Sequence, residues 1–139
     1  RDSSRTPMQW DSSKNAGFTT GKPWFYVNPN YKRINVAAEE NQPYSILNLY
    51  RKCLYYRKNS EVALWGDYTE YYKASSLLYV YKRTYKNNQL LIVCSFSSHH
   101  LRWHNIKEFR GIKGKLVICN YPNPIHGVLK PYEARVYEY

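Results

Sequence analysis

The chain has 139 residues, 43% of them hydrophobic and 22% charged, and a net charge of +11. That length accommodates one ordinary domain, or a small domain with an appendage, and that balance belongs to a globular rather than a disordered protein. No apolar run approaches the roughly 18 residues of a membrane span; the longest, Leu90 to Cys94, is the size of a strand. A soluble, cytoplasmic chain with nothing to direct secretion is expected.

The chain begins with "RDSSRTPMQWD", Arg1 to Asp11, in which charges, a proline and a tryptophan follow no helical or strand period. Such a stretch reads as a polar, site-like loop. Loop character continues through "GFTTGKPW" and "VNPNY" to about residue 42, each piece punctuated by Gly or Pro. A structureless stretch of that length is uncommon within a compact domain and signals either function or dependence on a missing neighbour.

"QPYSILNLYRKCLYYRKNS" then predicts an amphipathic helix over about 43–59, with Asn41 or Gln42 as cap and Pro43 in the first turn. Ile46, Leu49, Tyr50, Cys53, Leu54 and Arg57 recur at helical spacing. This stripe is expected to be packing surface, and a lone helix beside a β domain offers it little to pack on.

From Gly66 the pattern changes to strands. "DYTEYYK" and "SLLYVYKRTY" are followed by the turn signal "KNNQ" and by "LLIVCSF". Further short strands are expected at "LRWH", "KLVICNY" and "EARVYEY", separated by the turns "GIKG" and "YPNPIHG". Short strands with frequent turns suggest an antiparallel sandwich or barrel. A boundary at 62–66 divides the chain into 1–62, loop and helix, and 63–139, the β domain.

The basic residues Arg51-Lys52, Arg57-Lys58, Lys82-Arg83, Lys107, Arg110, Lys113 and Lys115 are scattered, with no block of five or six. A solvated surface accounts for them better than a nucleic-acid partner does. Cys53, Cys94 and Cys119 are odd in number and show no CxxC pair, which favours reduced, mostly buried thiols over disulfides or zinc. His99, His100 and His104 lie in a turn and strand, a poor setting for metal ligation. No metal or other cofactor is expected.

"RDSSRTPMQWD", "NAGFTTGKPW", "VNPNY" with "INV", "SILNLYRKCLYYRK" and the closing "LKPYEARVYEY" together resemble the C-terminal part of the α-amylase superfamily. The nearest group is the oligo-1,6-glucosidase and α-glucosidase branch of glycoside hydrolase family 13. The resemblance implies a mainly β fold: a C-terminal antiparallel β-sandwich preceded by the last loop and helix of a (β/α)8 barrel. It implies that the chain is the tail of a larger enzyme acting on α-linked gluco-oligosaccharides with retention, its partners being that substrate and the missing barrel. Self-association through the exposed helix is the alternative fate of the stripe.

Barrel active sites lie on the loops after the strands, so 1–42 is the part of the chain that could reach substrate. By resemblance, an Arg of this segment pairs with an Asp near the closed end of the glucose pocket. Arg5 is the first choice and Arg1 the second; the competing role for either is to brace the loop against Asp2 or Asp11. Met8, Gln9, Trp10 and Trp24 are expected in loop packing. None of the ten acids resembles the catalytic carboxylates that a retaining glycosidase holds about 5 to 5.5 Å apart, and Glu39-Glu40 precedes a helix start, where it favours the positive helix terminus. No catalytic residue is assigned in the chain, which is expected to be inactive alone.

Of the 16 tyrosines, those of "EYYK", "YVYKRTY" and "RVYEY" alternate so as to place rings on both faces of a sheet, either as half-buried sheet residues or as a stacking platform. Two rival readings remain: a free-standing carbohydrate-binding sandwich and a basic nucleic-acid-binding module.

Overall fold

The computed structural model describes residues 5–103 and 114–139. Arg1, Asp2, His104 and the turn at 111–113 therefore lie outside the described residues. The chain divides into two compact units, Arg1–Arg51 and Lys52–Tyr139.

The first unit is built on short elements. A left-handed turn occupies Lys14–Gly17, a single-turn 3-10 helix Pro29–Lys32, and α1 spans Val36–Glu40. The segment read as loop therefore contains a short helix. Five residues are too few to show a helical period, and α1 stands on its neighbours' hydrogen bonds instead. Asn35 caps it by accepting from Ala38 N at 2.8 Å, while Val36 N and Ala37 N donate to the carbonyls of Gln9 and Trp10, each at 3.0 Å. The otherwise unpaired first-turn donors of the helix are thus satisfied by the "QW" backbone.

Helix α2 spans Ile46–Asn59 and starts three residues later than the expected 43. Gln42, Pro43 and Tyr44 belong to a turn, and the cap is Ser45, whose Oγ accepts from Asn48 N at 3.2 Å. Glu39 Oε2 accepts from Leu47 N at 2.8 Å, a carboxylate placed at the positive end of the helix. No residue of α2 is buried. In the stripe, Ile46 is 79% exposed, Tyr50 62% and Leu54 51%, so the packing surface expected there faces outward in this chain.

In the second unit, Ser60 caps α3, Glu61–Trp65, and a five-stranded antiparallel sheet follows. Its strands are β1 (Asp67–Tyr71), β2 (Leu78–Tyr85), β3 (Asn88–Ser95), β5 (Lys115–Cys119) and β7 (Ala134–Glu138), in the spatial order β1-β2-β3-β7-β5. Tyr85 pairs with Asn88, so the expected "KNNQ" turn closes over Lys86 and Asn87, with Lys86 at φ 53°. β4 (Leu101–Arg102) pairs with β6 (Val128–Leu129), a two-residue strand with no readable pattern of its own.

Each face of the large sheet has a core. On one, Val80, Leu91 and Val93 pack with Trp103 and Leu129, which flank or lie on the small sheet. This is the sandwich. On the other, Leu90 and Ile92 pack under Val62 and Ala63 of α3, with Tyr56 of α2 at the margin.

A buried ion pair ties the sandwich together. Glu133 and Arg135 are 0% and 1% exposed, with Arg135 Nε donating to Glu133 Oε1 at 2.8 Å. Arg135 also donates to the carbonyls of Val128 at 2.6 Å and Ile125 at 3.1 Å, and Glu133 Oε2 accepts from Lys130 N at 2.7 Å. The two charges thereby hold the chain leading into and out of β6 against the main sheet. The guanidinium also sits 5.3 Å from the ring centroid of Trp103.

Candidate functional site: the loop before the first helix

Residues 5–35 carry the site-like motifs, and their geometry follows from two anchors. The first is the pair of hydrogen bonds that seat Gln9 and Trp10 on the N-terminus of α1, supported by Gln9 Nε2 donating to the Ile34 carbonyl. The second is a left-handed turn at Asn15, Ala16 and Gly17, with φ of 56°, 59° and 67°. It brings the buried Ala16 carbonyl to Trp10 N at 2.8 Å and to Asp11 N at 3.3 Å. A Cβ on Gly17 would lie 2.8 Å from the Asp11 carboxylate, so that position requires glycine on two counts.

Upstream of these anchors, Pro7 is buried while Arg5 and Thr6 are exposed. Among the described residues Arg5 makes no hydrogen bond or ion pair. Asp11, one of the two braces considered for it, is engaged elsewhere: its Oδ1 accepts from Ser13 N at 2.8 Å. Hydrogen bonds from the Ser13 side chain and then its backbone hold the Asp11 carboxyl below the usual range. Arg5 therefore stands just upstream of a braced loop with no partner for its guanidinium among the described residues. Arg1 and Asp2 lie outside the described residues.

The side chains expected in loop packing divide. Gln9 is half-buried, whereas Met8 and Trp10 are each 50% exposed and Trp24 is 88% exposed. The Trp24 ring lies beside that of Phe25, at a centroid distance of 4.6 Å.

Beside the loop lies a cleft of about 430 Å³ whose walls include Pro7, Met8, Ile34, Val36, Ile46 and Tyr50. Most of its polar lining is already occupied, since Gln9 bonds Ile34 O, Asn35 caps α1 and Glu39 caps α2, which leaves the hydroxyls of Thr6 and Tyr50. A sugar pocket needs convergent polar groups free to bond hydroxyls. This cleft has the character of a packing surface.

Most of the described acids are likewise engaged in structure. Glu39 binds Leu47 N while Glu40 pairs with Arg51 at 2.6 Å, so the adjacent pair diverges. Glu61 pairs with Lys86 at 3.5 Å and Glu133 with Arg135. Among the described residues no group of three or more His, Cys, Asp or Glu stands together, and no helix is long and apolar enough to cross a membrane. The cysteines are free; Cys53 is exposed rather than buried, and Cys94 and Cys119 are half-buried.

Comparison with known proteins gives a consistent result. The model of the α-amylase catalytic domain matches residues 1–66. An oligo-1,6-glucosidase of Bacillus cereus is 39% identical over 99% of this chain and 25% of its own length. The trehalose-6-phosphate hydrolase of Escherichia coli is 38% identical over 96% of the chain, again 25% of its own length. Among solved structures, the isomaltulose synthase from Klebsiella sp. LX3 superposes with a TM-score of 0.90 at 35% identity, covering 99% of this chain and 25% of that one. The chain thus spans about a quarter of the length of the relatives it matches. With the RTPMQWD loop on its helix brace in one unit and an antiparallel sandwich in the other, the chain belongs to the α-amylase superfamily, glycoside hydrolase family 13.

Proposed function

We propose that this chain is the C-terminal part of a cytoplasmic α-glucosidase of the oligo-1,6-glucosidase type. The complete enzyme hydrolyses α-linked gluco-oligosaccharides by double displacement with net retention. Residues 1–62 form the last loop and helix of its catalytic barrel, and 63–139 form its C domain. The observation that carries this reading is the 39% identity to an oligo-1,6-glucosidase over 99% of the chain.

In this reading the nucleophile and the acid/base belong to the rest of the polypeptide, because Asp11, Glu39, Glu40, Glu61 and Glu133 are spent on caps, turns and ion pairs and none of the chain's acids resembles the family's catalytic carboxylates. The chain's own contribution is geometric. The α1 N-terminus and the left-handed turn hold residues 9–17 in place, and Arg5 projects from that support. A guanidinium fork can hold a carboxylate and a sugar hydroxyl in one plane, which orients the glucosyl unit for attack. Arg1 is the second candidate for this role.

Replacing Arg5 by Ala in the complete enzyme tests the assignment. A lost charge-assisted contact to the reacting sugar should lower kcat/KM by about 100-fold. The melting temperature should stay within 1–2 °C of the parent, about the shift a small surface effect produces. Near-normal kcat/KM on isomaltose would remove Arg5 from the glucose pocket.

A further inference from the structure

The β1 edge of the large sheet carries a group of three tyrosine rings, two of which neither core absorbs. Tyr68 lies opposite Arg83, and Glu70 opposite Tyr81. By the two-residue period of strands, Tyr68, Glu70, Tyr79, Tyr81 and Arg83 share one face. Towards the middle of that face Tyr81 packs at the margin of the core under α3. Beyond it Tyr79 is 38% exposed and Tyr68 49%.

The three rings are contiguous. Tyr81 stands 5.3 Å from Tyr68 and 5.2 Å from Tyr79 between centroids, with planes inclined by 36° and 44°. The hydroxyls of Tyr68 and Tyr79 bond each other at 3.1 Å, which fixes the two outer rings relative to one another. Sheet packing accounts for Tyr81. It does not account for two rings held side by side with their surfaces in water.

The neighbouring charges narrow the ligand class. Aromatic platforms bind nucleic-acid bases when cations beside them hold the phosphates. Here the cation on the face is Arg83, and its guanidinium is committed to the carbonyls of Val62 at 3.3 Å and Gly66 at 2.6 Å. The other charge is Glu70, which repels phosphate. A protein interface also uses tyrosines, but it depletes glutamate from its core, where Glu70 would stand. A pyranose meets all three conditions: it is uncharged, its C–H face stacks on an aromatic ring, and its rim hydroxyls can donate to a carboxylate and exchange bonds with phenols.

We propose that Tyr68, Tyr79 and Tyr81, with Glu70 beside them, form a surface platform that binds an α-linked glucan chain. The choice of glucan among carbohydrates rests on the function proposed above; the stacking geometry does not.

Affinity electrophoresis of the complete polypeptide, in gels cast with soluble dextran or soluble starch, tests this. The parent protein should be retarded by at least one of the two polymers. Tyr68→Ala and Tyr79→Ala, each checked by thermal melting, should weaken that retardation by about tenfold in apparent Kd. Tyr68→Phe, which keeps the ring, should retain most of it. Hydrolysis of a small chromogenic α-glucoside should be the same in all four proteins. No retardation of the parent, or equal retardation of both Ala variants, overturns the platform whatever the hydrolysis. Retardation that depends on the rings in a polypeptide that cleaves no α-glucoside would leave the platform standing and remove the glucosidase reading.

Discussion

Glu133 and Arg135 are two residues apart, so they project from the same face of the chain's last strand region, and both are fully buried. Burial alone pushes the Glu133 carboxyl up, but bonds from Arg135, Lys130 N and Cys119 outweigh it and leave the group below its usual value. A carboxyl whose pKa is lower folded than unfolded binds fewer protons in the native state. Its contribution is therefore complete above the ordinary glutamate value of 4.5 and is lost as the pH falls below it. Glu133→Gln removes the charge but leaves Arg135 buried, and should cost about 3–5 kcal/mol in urea unfolding at pH 7. The deficit of the same variant relative to the parent should shrink as the pH is lowered below 4.5, by at most about 1.4 kcal/mol per pH unit for this single group. Adding Arg135→Met should not restore stability in full, because the carbonyls of Val128 and Ile125 would then lack the donors they have now. A double variant as stable as the parent would show that those two carbonyls find other partners at little cost.

Among elements, α1 shows how the loop is supported. Its first turn donates to Gln9 and Trp10, and its last turn is held by Asn48 of α2. The Asn48 amide lies 2.9, 3.0 and 2.9 Å from the carbonyls of Glu39, Glu40 and Gln42. Asn48→Ala should therefore cost about 1–2 kcal/mol. It should also speed hydrogen exchange at Val36 and Ala37, the amides that seat the "QW" backbone; unchanged exchange there would mean that α1 stands without Asn48. None of this is legible in the sequence, because a five-residue helix held by long-range bonds has no period to read. The elements that can be read are those with local causes. The hairpin at Lys86-Asn87 follows from turn chemistry between two alternating strands, and α2 follows from its periodicity. Its start was misplaced because Pro43 suits a first helical turn and equally a turn that precedes the helix. The same division holds at the loop. Arg5 could be singled out by resemblance, whereas its support by α1 could not, and the choice of which tyrosines stay exposed depends on how far α3 reaches across the sheet.

At the scale of the whole molecule, the exposed stripe of α2 carries the strongest physical sign that this sequence works as part of something larger. Ile46 at 79% exposure, Tyr50 at 62% and Leu54 at 51% recur every four residues along one side of the helix. Scattered exposed apolar residues need no explanation, but an ordered stripe of them does. The strand content and the antiparallel sandwich were legible because alternation is a local pattern. What the stripe packs against was not, since a helical period reveals that a face is apolar and says nothing of its partner. Ile46→Asp separates the possibilities by comparing two contexts. In the 139-residue chain an exposed substitution of this kind should change stability by no more than about 0.5 kcal/mol. In the complete polypeptide, burial of the stripe against the catalytic barrel would make a charge there cost about 2–4 kcal/mol, seen as a fall in the unfolding midpoint. A cost that appears only in the longer chain means that α2 is an internal helix of the enzyme. A negligible cost in both means that the stripe remains exposed there too, and the proposed place of 1–62 in the barrel would have to be given up.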